Sequence, residues 1–238
     1  MIEEINKYVY LALLAERGKS YQDMRFYLEK YILKKQEDIS IDERNLLLVA
    51  YKNILSEKRQ CLRTITSIEN KEKKEEAPFL DYINEYKESL LTDLKSTCEY
   101  ICLFIETYLL PFSVDDGAKT FYLKSIGDYY RYIAENIDSE KKNVYAEKSL
   151  SYYNKARESS SNILILDPVR LGLALNMSVF YYEILNNHET ACHIAKETLD
   201  LVKYDLENLE ENHEDNIDIF NIVNMLQENL NMWNFDEH

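Results

Sequence analysis

The first predicted helix is apolar around its whole circumference. It runs from Ile2 to about Arg17, and Gly18 ends it. The segment from Tyr8 to Ala15 contains only apolar and aromatic residues. A helix at a protein surface needs one apolar stripe, so a helix that is apolar on all sides must be covered twice. This leaves two interpretations: the helix belongs to a subunit interface, or it is buried deeply within one subunit.

Polar residues and helix breakers predict where the other helices begin and end. Ser40 and Glu43 form a capping box, in which Ser40 accepts from the Glu43 amide and Glu43 reaches back. The charged stretch 70–76 and then Pro78 mark a break, and Pro168 fits the first position of a helix. The predicted helices after the first span about 21–35, 41–73, 79–109, 116–136, 140–161, 168–185, 188–208 and 215–233.

The scarcity of glycine and proline supports this helical pattern. The chain has Gly 4 and Pro 3, far below average usage, at which the two together make up roughly 12% of residues. Folds rich in sheets and loops need both residues in their turns. No linker is long enough to divide the chain, and no repeat has a fixed period. We therefore predict an all-α single domain, residues 1–238, of about nine antiparallel helices.

Charge and cysteine content restrict the partners. The formal charge is -15, so the surface repels nucleic-acid phosphates and anionic membranes. Cys98 and Cys102 lie one turn apart, either as small buried hydrophobic residues or as half of a structural zinc site. No second ligand pair has metal-site spacing, so we predict no metal and no cofactor. The apolar run of the first helix is too short for a signal peptide or a membrane span, so we expect a cytoplasmic protein.

Basic residues form a pattern on two predicted helices. Lys52 and Arg59 are seven positions apart on the third helix, so they lie on one face, two turns from each other. Arg131 lies in an aromatic segment of the fifth helix, between Asp128 and Glu135 at i−3 and i+4. An unpaired guanidinium there is costly, so these carboxylates can hold Arg131 in one orientation. An ordinary ladder of salt bridges within one helix explains the same spacing.

Longer strings place these residues in a family context. They are RNLLLVAYKN from Arg44 to Asn53, FYLK from Phe121 to Lys124, GDYYRY from Gly127 to Tyr132, RLGLALN from Arg170 to Asn176, and SVFYYEILN from Ser178 to Asn186. In this order they resemble segments of the 14-3-3 family, and the resemblance extends from Tyr21 to Trp233. It implies a non-enzymatic adaptor that binds phosphoserine or phosphothreonine segments of client proteins in a concave groove.

The resemblance implies a phosphate trap on the third and fifth helices. A phosphoserine carries nearly two negative charges and three acceptor oxygens, which two Arg side chains can bind bidentately. The implied trap residues are Lys52, Arg59, Arg131 and Tyr132. Lys124 is expected to add positive charge, and Asp128 and Glu135 are expected to orient the arginines.

The resemblance also implies the rest of the groove. Asn176 and Asn229 correspond to amide clamps on the peptide backbone, and Glu183 and Trp233 to further polar contacts. Four residues on two helix faces are expected to form the apolar wall opposite the trap: Leu175, Val179, Ile222 and Met225. Ordinary core positions explain the same spacing of these four residues.

A homodimer through the N-terminal helices, residues 2–73, is also implied, with residues 79–233 completing the groove. In the family, two basic residues form ion pairs across the dimer interface, here called the seam. Ser20 and Ser89 stand at their positions in this chain. Their acidic partners are retained as Asp93 and Asp23. On the last helix, a leucine and an arginine of the family are replaced by Asn221 and Gln227.

Two other classes of function fit less well. A tetratricopeptide-like scaffold that binds unphosphorylated peptides would explain the Tyr- and Ala-rich helices, but its repeat of about 34 residues is missing. An enzyme would need a nucleophile–base pair, a metal cluster or a Gly-rich phosphate loop, and the sequence has none of these signatures. The sequence therefore favours a phosphopeptide-binding adaptor.

Overall fold

Helices dominate the described part of the chain, which in the computed structural model comprises residues 2–74, 78–137, 139–209, 213 and 216–236. Those residues contain nine α-helices and no strand, which confirms the predicted all-α class. The helices are α1 Ile2–Arg17, α2 Tyr21–Lys35, α3 Ile41–Lys74, α4 Leu80–Tyr108, α5 Asp116–Asn136, α6 Ser139–Ser159, α7 Pro168–Glu183, α8 His188–Leu206 and α9 Ile217–Asp236. Short 3-10 helices, Leu110–Phe112 and Ser160–Asn162, follow α4 and α6.

The chain divides into two compact units, Met1–Val114 and Asp115–His238. The first unit contains α1 to α4 and the second contains α5 to α9. That the whole chain forms a single domain stays a prediction.

Helix ends differ from the predicted ones by a few residues, for local reasons. The first helix ends at Arg17 as predicted, but Lys19 rather than Gly18 takes the left-handed conformation, with φ 54°. α7 ends at Glu183, two residues earlier than predicted, because Asn186 turns the chain with φ 49°. The Asn187 side chain then caps α8 by accepting from the Thr190 amide at 3.0 Å. Most of the acidic segment 210–216 lies outside the described residues.

The predicted capping box at the start of α3 is confirmed. The Ser40 amide donates to Glu43 Oε2 at 2.8 Å, and the Glu43 amide donates to Ser40 Oγ at 3.2 Å. Glu43 also accepts from Tyr31 Oη and, at 3.0 Å, from Lys35 Nζ of α2. Burial raises the pKa of Glu43, but these hydrogen bonds outweigh burial and hold its pKa below the usual value. The same carboxylate therefore starts α3 and attaches it to α2.

In the first unit, α2 packs on α1 and α3, and α3 packs on α4. Glu29 of α2 is buried and accepts from Tyr51 Oη of α3 at 2.9 Å and from Tyr100 Oη of α4 at 2.7 Å. α1 buries Ala12 completely but leaves an apolar face exposed, with Tyr10 63% and Leu14 44% accessible. Within its unit, α1 is therefore covered on one side only.

In the second unit, α5 and α6 pack along their length. Gly127 permits this approach, because a Cβ there would lie 2.7 Å from Cδ1 of Tyr153 on α6. Ser149 Oγ of α6 donates to the Gly127 carbonyl at 2.8 Å. α7, α8 and α9 share a second core, made of Leu175, Ala191, Ala195, Leu226 and Trp233. Within the described ranges, no helix combines the length and the apolar content needed to cross a membrane.

The close approach at Gly127 generates a prediction for stability. Gly127→Ala pushes a methyl group into the buried Tyr153 ring, so it should lower the free energy of unfolding by about 1–3 kcal/mol. Gly172→Ala on α7 is the matched control, because its Cβ would meet only Lys124 Cε at an ordinary 3.7 Å. The control should raise stability by about 0.5–1 kcal/mol, since alanine favours a helix interior. Urea unfolding followed by circular dichroism measures both; equal effects would contradict the packing at Gly127.

Candidate functional site

Two predicted trap residues lie on α3 in the first unit. Buried residues on an adjacent face, among them Tyr51 and Leu55, fix the rotation of this helix. Lys52 is exposed and Arg59 is half-buried, two turns further along. Arg59 lies near Cys98 of α4, where burial raises the pKa of the thiol to about 12 while the charge of Arg59 opposes that rise. Cys98 is therefore a protonated core residue beside a residue of the predicted trap.

The second unit places three predicted site residues around the carboxylate of a fourth, Asp128. Asp128 of α5 is buried, and its Oδ2 accepts from Lys124 Nζ at 3.0 Å, one turn earlier on the same helix. Arg131 Nη2 lies 3.8 Å from Asp128 Oδ1. Asn176 Nδ2 of α7 donates to both carboxylate oxygens, at 2.8 and 2.9 Å. The carboxylate thus holds two cations and one amide in fixed positions.

Arg131 is itself buried and held from two further directions. Its Nε donates to Tyr153 Oη at 3.2 Å, and Tyr153 Oη donates to Asp128 Oδ1 at 2.6 Å. The Cζ atom of Arg131 lies 4.8 Å from the ring centroid of Tyr132, a favourable cation–π distance. The predicted neighbours Arg131 and Tyr132 are therefore in contact. Glu135 is half-buried one turn after Arg131, and its orienting role stays a prediction.

The electrostatics of this cluster favour the charged forms of Asp128 and Arg131. Burial raises the pKa of Asp128, but the charges of Lys124 and Arg131 and the hydrogen bond from Tyr153 outweigh burial and leave the pKa below its usual value. Burial lowers the pKa of Arg131, but Tyr153 and Asp128 outweigh it and raise that pKa. At neutral pH the cluster carries two positive charges and one negative charge.

The predicted groove residues of α7 and α9 differ in exposure. Leu175 is 6% exposed and belongs to the core of the second unit, as the interpretation of these residues as core positions allowed. Val179 and Ile222 pack on that core but are partly exposed, whereas Met225 is 51% exposed. Glu183 is exposed and Asn229 is half-buried. Their contacts with a peptide stay predictions.

Trp233 lies in an aromatic stack. It is 2% exposed, and its ring lies 4.6 Å from that of Tyr182, with an interplanar angle of 13°. On the other face of Tyr182, His188 stacks at 4.2 Å and 18°. This stack fixes the end of α9 against α7 and the start of α8. Only a small edge of Trp233 is therefore accessible for contact with a peptide. That Trp233 forms a polar contact in the groove stays a prediction.

Sequence reasoning did not identify Tyr153, the α6 residue that contacts both Asp128 and Arg131. It is 22 residues from Arg131 in the chain, so helix spacing gives no sign of the contact. One available signal was Gly127, because an isolated glycine inside a helix often marks close approach of another element. The contact between Asn176 and Asp128 was likewise beyond helix periodicity, since it joins residues 48 positions apart.

The arrangement has the charge and the hydrogen-bond donors that suit an anionic ligand. Its cations are oriented by a buried carboxylate, which suits charge-assisted hydrogen bonds to a multiply charged ligand. No group of three His, Cys, Asp or Glu side chains in the described part of the chain is placed to hold a metal ion. Fold and site together define an all-helical binding protein for an anionic ligand.

Comparisons with known proteins name the family. The sequence profile of the family described as "14-3-3 protein" matches residues 11–234. The 14-3-3-like protein GF14 chi of Arabidopsis thaliana is 38% identical over 235 residues, which cover 97% of this chain and 87% of the relative. Checkpoint signal transducer rad24 of Schizosaccharomyces pombe is 39% identical over 231 residues, covering 96% and 84%. 14-3-3 protein 2 of Entamoeba histolytica is 38% identical over 230 residues, covering 96% and 95%.

The chain therefore belongs to the 14-3-3 family. It is a non-enzymatic adaptor that binds phosphorylated segments of other proteins, as the sequence predicted. No finding favours the tetratricopeptide-like alternative.

The depressed pKa of Asp128 predicts how stability depends on pH. A carboxylate with a lowered folded-state pKa stabilises the protein above its unfolded pKa of about 3.9, and this contribution is lost as the pH falls through the folded value. We expect the difference in unfolding free energy between wild type and Asp128→Asn to be constant above about pH 5 and to shrink below about pH 4. Urea titrations at several pH values measure it. A difference that grows on acidification would contradict the assignment.

Proposed function

We propose that the phosphate of a phosphoserine or phosphothreonine segment is bound by Lys52, Arg59, Arg131 and Tyr132. The observation that carries this proposal is the binding of Lys124, Arg131 and Asn176 to the single buried carboxylate of Asp128. Cations held in this way lose little side-chain entropy when a ligand binds, which favours affinity. The family match supports the inclusion of Lys52 and Arg59, which lie on one face of α3.

In this proposal the client segment is extended and is held along its backbone. Asn176 is already fixed by Asp128 through its Nδ2 atom, so its carbonyl oxygen is oriented to accept from a peptide amide. The further proposed contacts are Asn229, Glu183 and Trp233. Glu135 is proposed to orient the arginines, and the proposed apolar wall consists of Leu175, Val179, Ile222 and Met225.

We also propose that the protein acts in the cytoplasm, where its free cysteines stay reduced. Its charge of -15 disfavours nucleic acid and membranes as partners.

Phosphate dependence is the direct test of this site. Each charge-assisted hydrogen bond contributes roughly 1.5–3 kcal/mol, so a phosphoserine peptide should bind more tightly than its unmodified form by about 3 kcal/mol or more. Arg59→Ala and Arg131→Ala should each abolish most of this difference while the helix content is retained. Isothermal titration calorimetry at one salt concentration measures it. Lys155→Ala on α6, whose amine lies over the Tyr152 ring, is the control for removal of one positive charge. Undiminished phosphopeptide binding in both arginine variants would refute the proposed site.

We propose further that the protein is a homodimer with an apolar seam, formed by α1, α3 and α4. Supporting residues include the exposed Tyr10, Leu13 and Leu14 of α1 and the exposed Tyr82 and Tyr86 of α4. Asp23 and Asp93 correspond to family residues that form ion pairs across the seam, and the basic partners of both are missing here. Each of the two carboxylates instead has a partner within the chain. Asp23 Oδ2 accepts from Ser20 Oγ at 2.6 Å, and Asp93 pairs with Lys58. Exposed ion pairs contribute only about 0–1 kcal/mol, whereas burial of one leucine contributes about 1.5–3 kcal/mol.

Light scattering over a dilution series, at low and high salt, tests this seam. We expect a dimer at tens of micromolar whose dissociation changes little with salt. Salt screens interactions between charges, over about 10 Å at 0.1 M, but it does not screen apolar contacts. Leu14→Glu should yield a monomer, while Leu201→Glu, at a somewhat more exposed leucine of α8, should leave the dimer intact. A wild-type monomer would refute the dimer, and strong salt dependence would refute the apolar seam.

The replacements on α9 predict a changed preference for residues that flank the phosphate. Asn221 is exposed, and Gln227 Nε2 donates to Asn231 Oδ1 at 3.0 Å. Compared with the family, this surface has therefore lost one apolar side chain and one positive charge. The double variant Asn221→Leu, Gln227→Arg should shift flanking preferences on a phosphopeptide array while the requirement for phosphate stays the same. Identical arrays for wild type and the double variant would show that these positions do not select clients.

A further inference from the structure

Tyr153 contacts both charged partners of the site although it lies on a different helix from them. Its hydroxyl donates to Asp128 Oδ1 at 2.6 Å and accepts from Arg131 Nε at 3.2 Å. The side chain is completely buried. A buried tyrosine could satisfy its hydroxyl with any backbone carbonyl, so its placement between a carboxylate and a guanidinium requires a specific explanation.

We infer that Tyr153 is a positioning residue of the phosphate site, which determines the edge that the Arg131 guanidinium presents to a phosphate. The inference rests on the proposed function. A guanidinium has two edges suited to a bidentate acceptor, one formed by Nε with a terminal nitrogen and one formed by the two terminal nitrogens. The Nε–H of Arg131 already donates to the Tyr153 hydroxyl, so it is not available to a phosphate. A phosphate therefore meets the edge of the two terminal nitrogens.

The surrounding residues fix Tyr153 itself. Its ring packs edge-on against Phe180 of α7, with centroids 5.5 Å apart. On the other side, the absence of a side chain at Gly127 makes room for the ring. One turn before Tyr153, Ser149 bonds to the Gly127 carbonyl and sets the register of α6 against α5. The hydroxyl is thus delivered to one point, between Asp128 and Arg131.

The proton on the Tyr153 hydroxyl is equally fixed. Burial and the charge of Asp128 raise the pKa of Tyr153 well above its usual value. The hydroxyl therefore stays protonated at neutral pH and donates to the carboxylate. Removing it leaves a buried Nε donor without this acceptor, and the guanidinium can then rotate away from its binding orientation.

A double-mutant cycle tests the inference. We expect Tyr153→Phe to weaken phosphopeptide binding about tenfold and to change binding of the unmodified peptide less than about twofold. In the background of Arg131→Lys, which has no Nε–H, the same change should alter phosphopeptide affinity less than about twofold. Tyr145→Phe is the control, because Tyr145 is a buried tyrosine of the same helix whose ring lies 6.2 Å from that of Tyr130.

A nuclear magnetic resonance signal separates positioning from packing. The Arg131 Nε–H proton should exchange faster with solvent in Tyr153→Phe than in wild type or in Tyr145→Phe, without any ligand present. If Arg131→Lys weakens phosphopeptide binding but Tyr153→Phe does not, or if Tyr153→Phe costs the same in both backgrounds, the positioning role is wrong. If Arg131→Lys itself leaves phosphopeptide affinity unchanged, the proposed phosphate site fails and the inference fails with it.

Discussion

The buried charge of Asp128 is the interaction on which the site in the second unit depends. A buried carboxylate costs several kcal/mol unless it is paired and hydrogen-bonded. Here its partners come from three helices: Lys124 and Arg131 from α5, Tyr153 from α6 and Asn176 from α7. Correct packing of these helices therefore arranges the site before a ligand arrives. The cations remain in excess over the carboxylate by one charge, so the cluster stays attractive to a phosphate.

In the first unit too, carboxylates accept hydrogen bonds from neighbouring helices and so connect them. Glu43 starts α3 through the capping box and binds α2 through Tyr31 and Lys35. Glu29 is buried between tyrosines of α3 and α4. In a chain with 43 acidic residues, some carboxylates thus act inside the protein, as fixed acceptors between helices. They hold α3, which carries Lys52 and Arg59, in a defined orientation within its unit.

Contacts within one helix were predictable from the sequence, and contacts between helices were not. The capping box of Ser40 and Glu43 and the spacing of Asp128 and Arg131 follow from helix geometry, and both are present. The family strings led correctly to a phosphopeptide-binding adaptor. The hydroxyl of Tyr153 and the amide of Asn176 reach Asp128 only through tertiary packing, for which a single sequence carries little signal beyond Gly127. The burial of Trp233 was unexpected for the same reason, because its stack on Tyr182 joins two helices.

Calorimetry of one phosphoserine peptide with wild type and with Asp128→Asn tests the central claim, that the carboxylate positions the cations. Two effects of this substitution oppose each other. Removing a negative charge beside the phosphate strengthens binding through simple electrostatics, whereas releasing Lys124, Arg131 and Asn176 from their common acceptor weakens it. We expect the loss of orientation to dominate, so that affinity falls about tenfold or more. Equal or tighter binding by Asp128→Asn would contradict it.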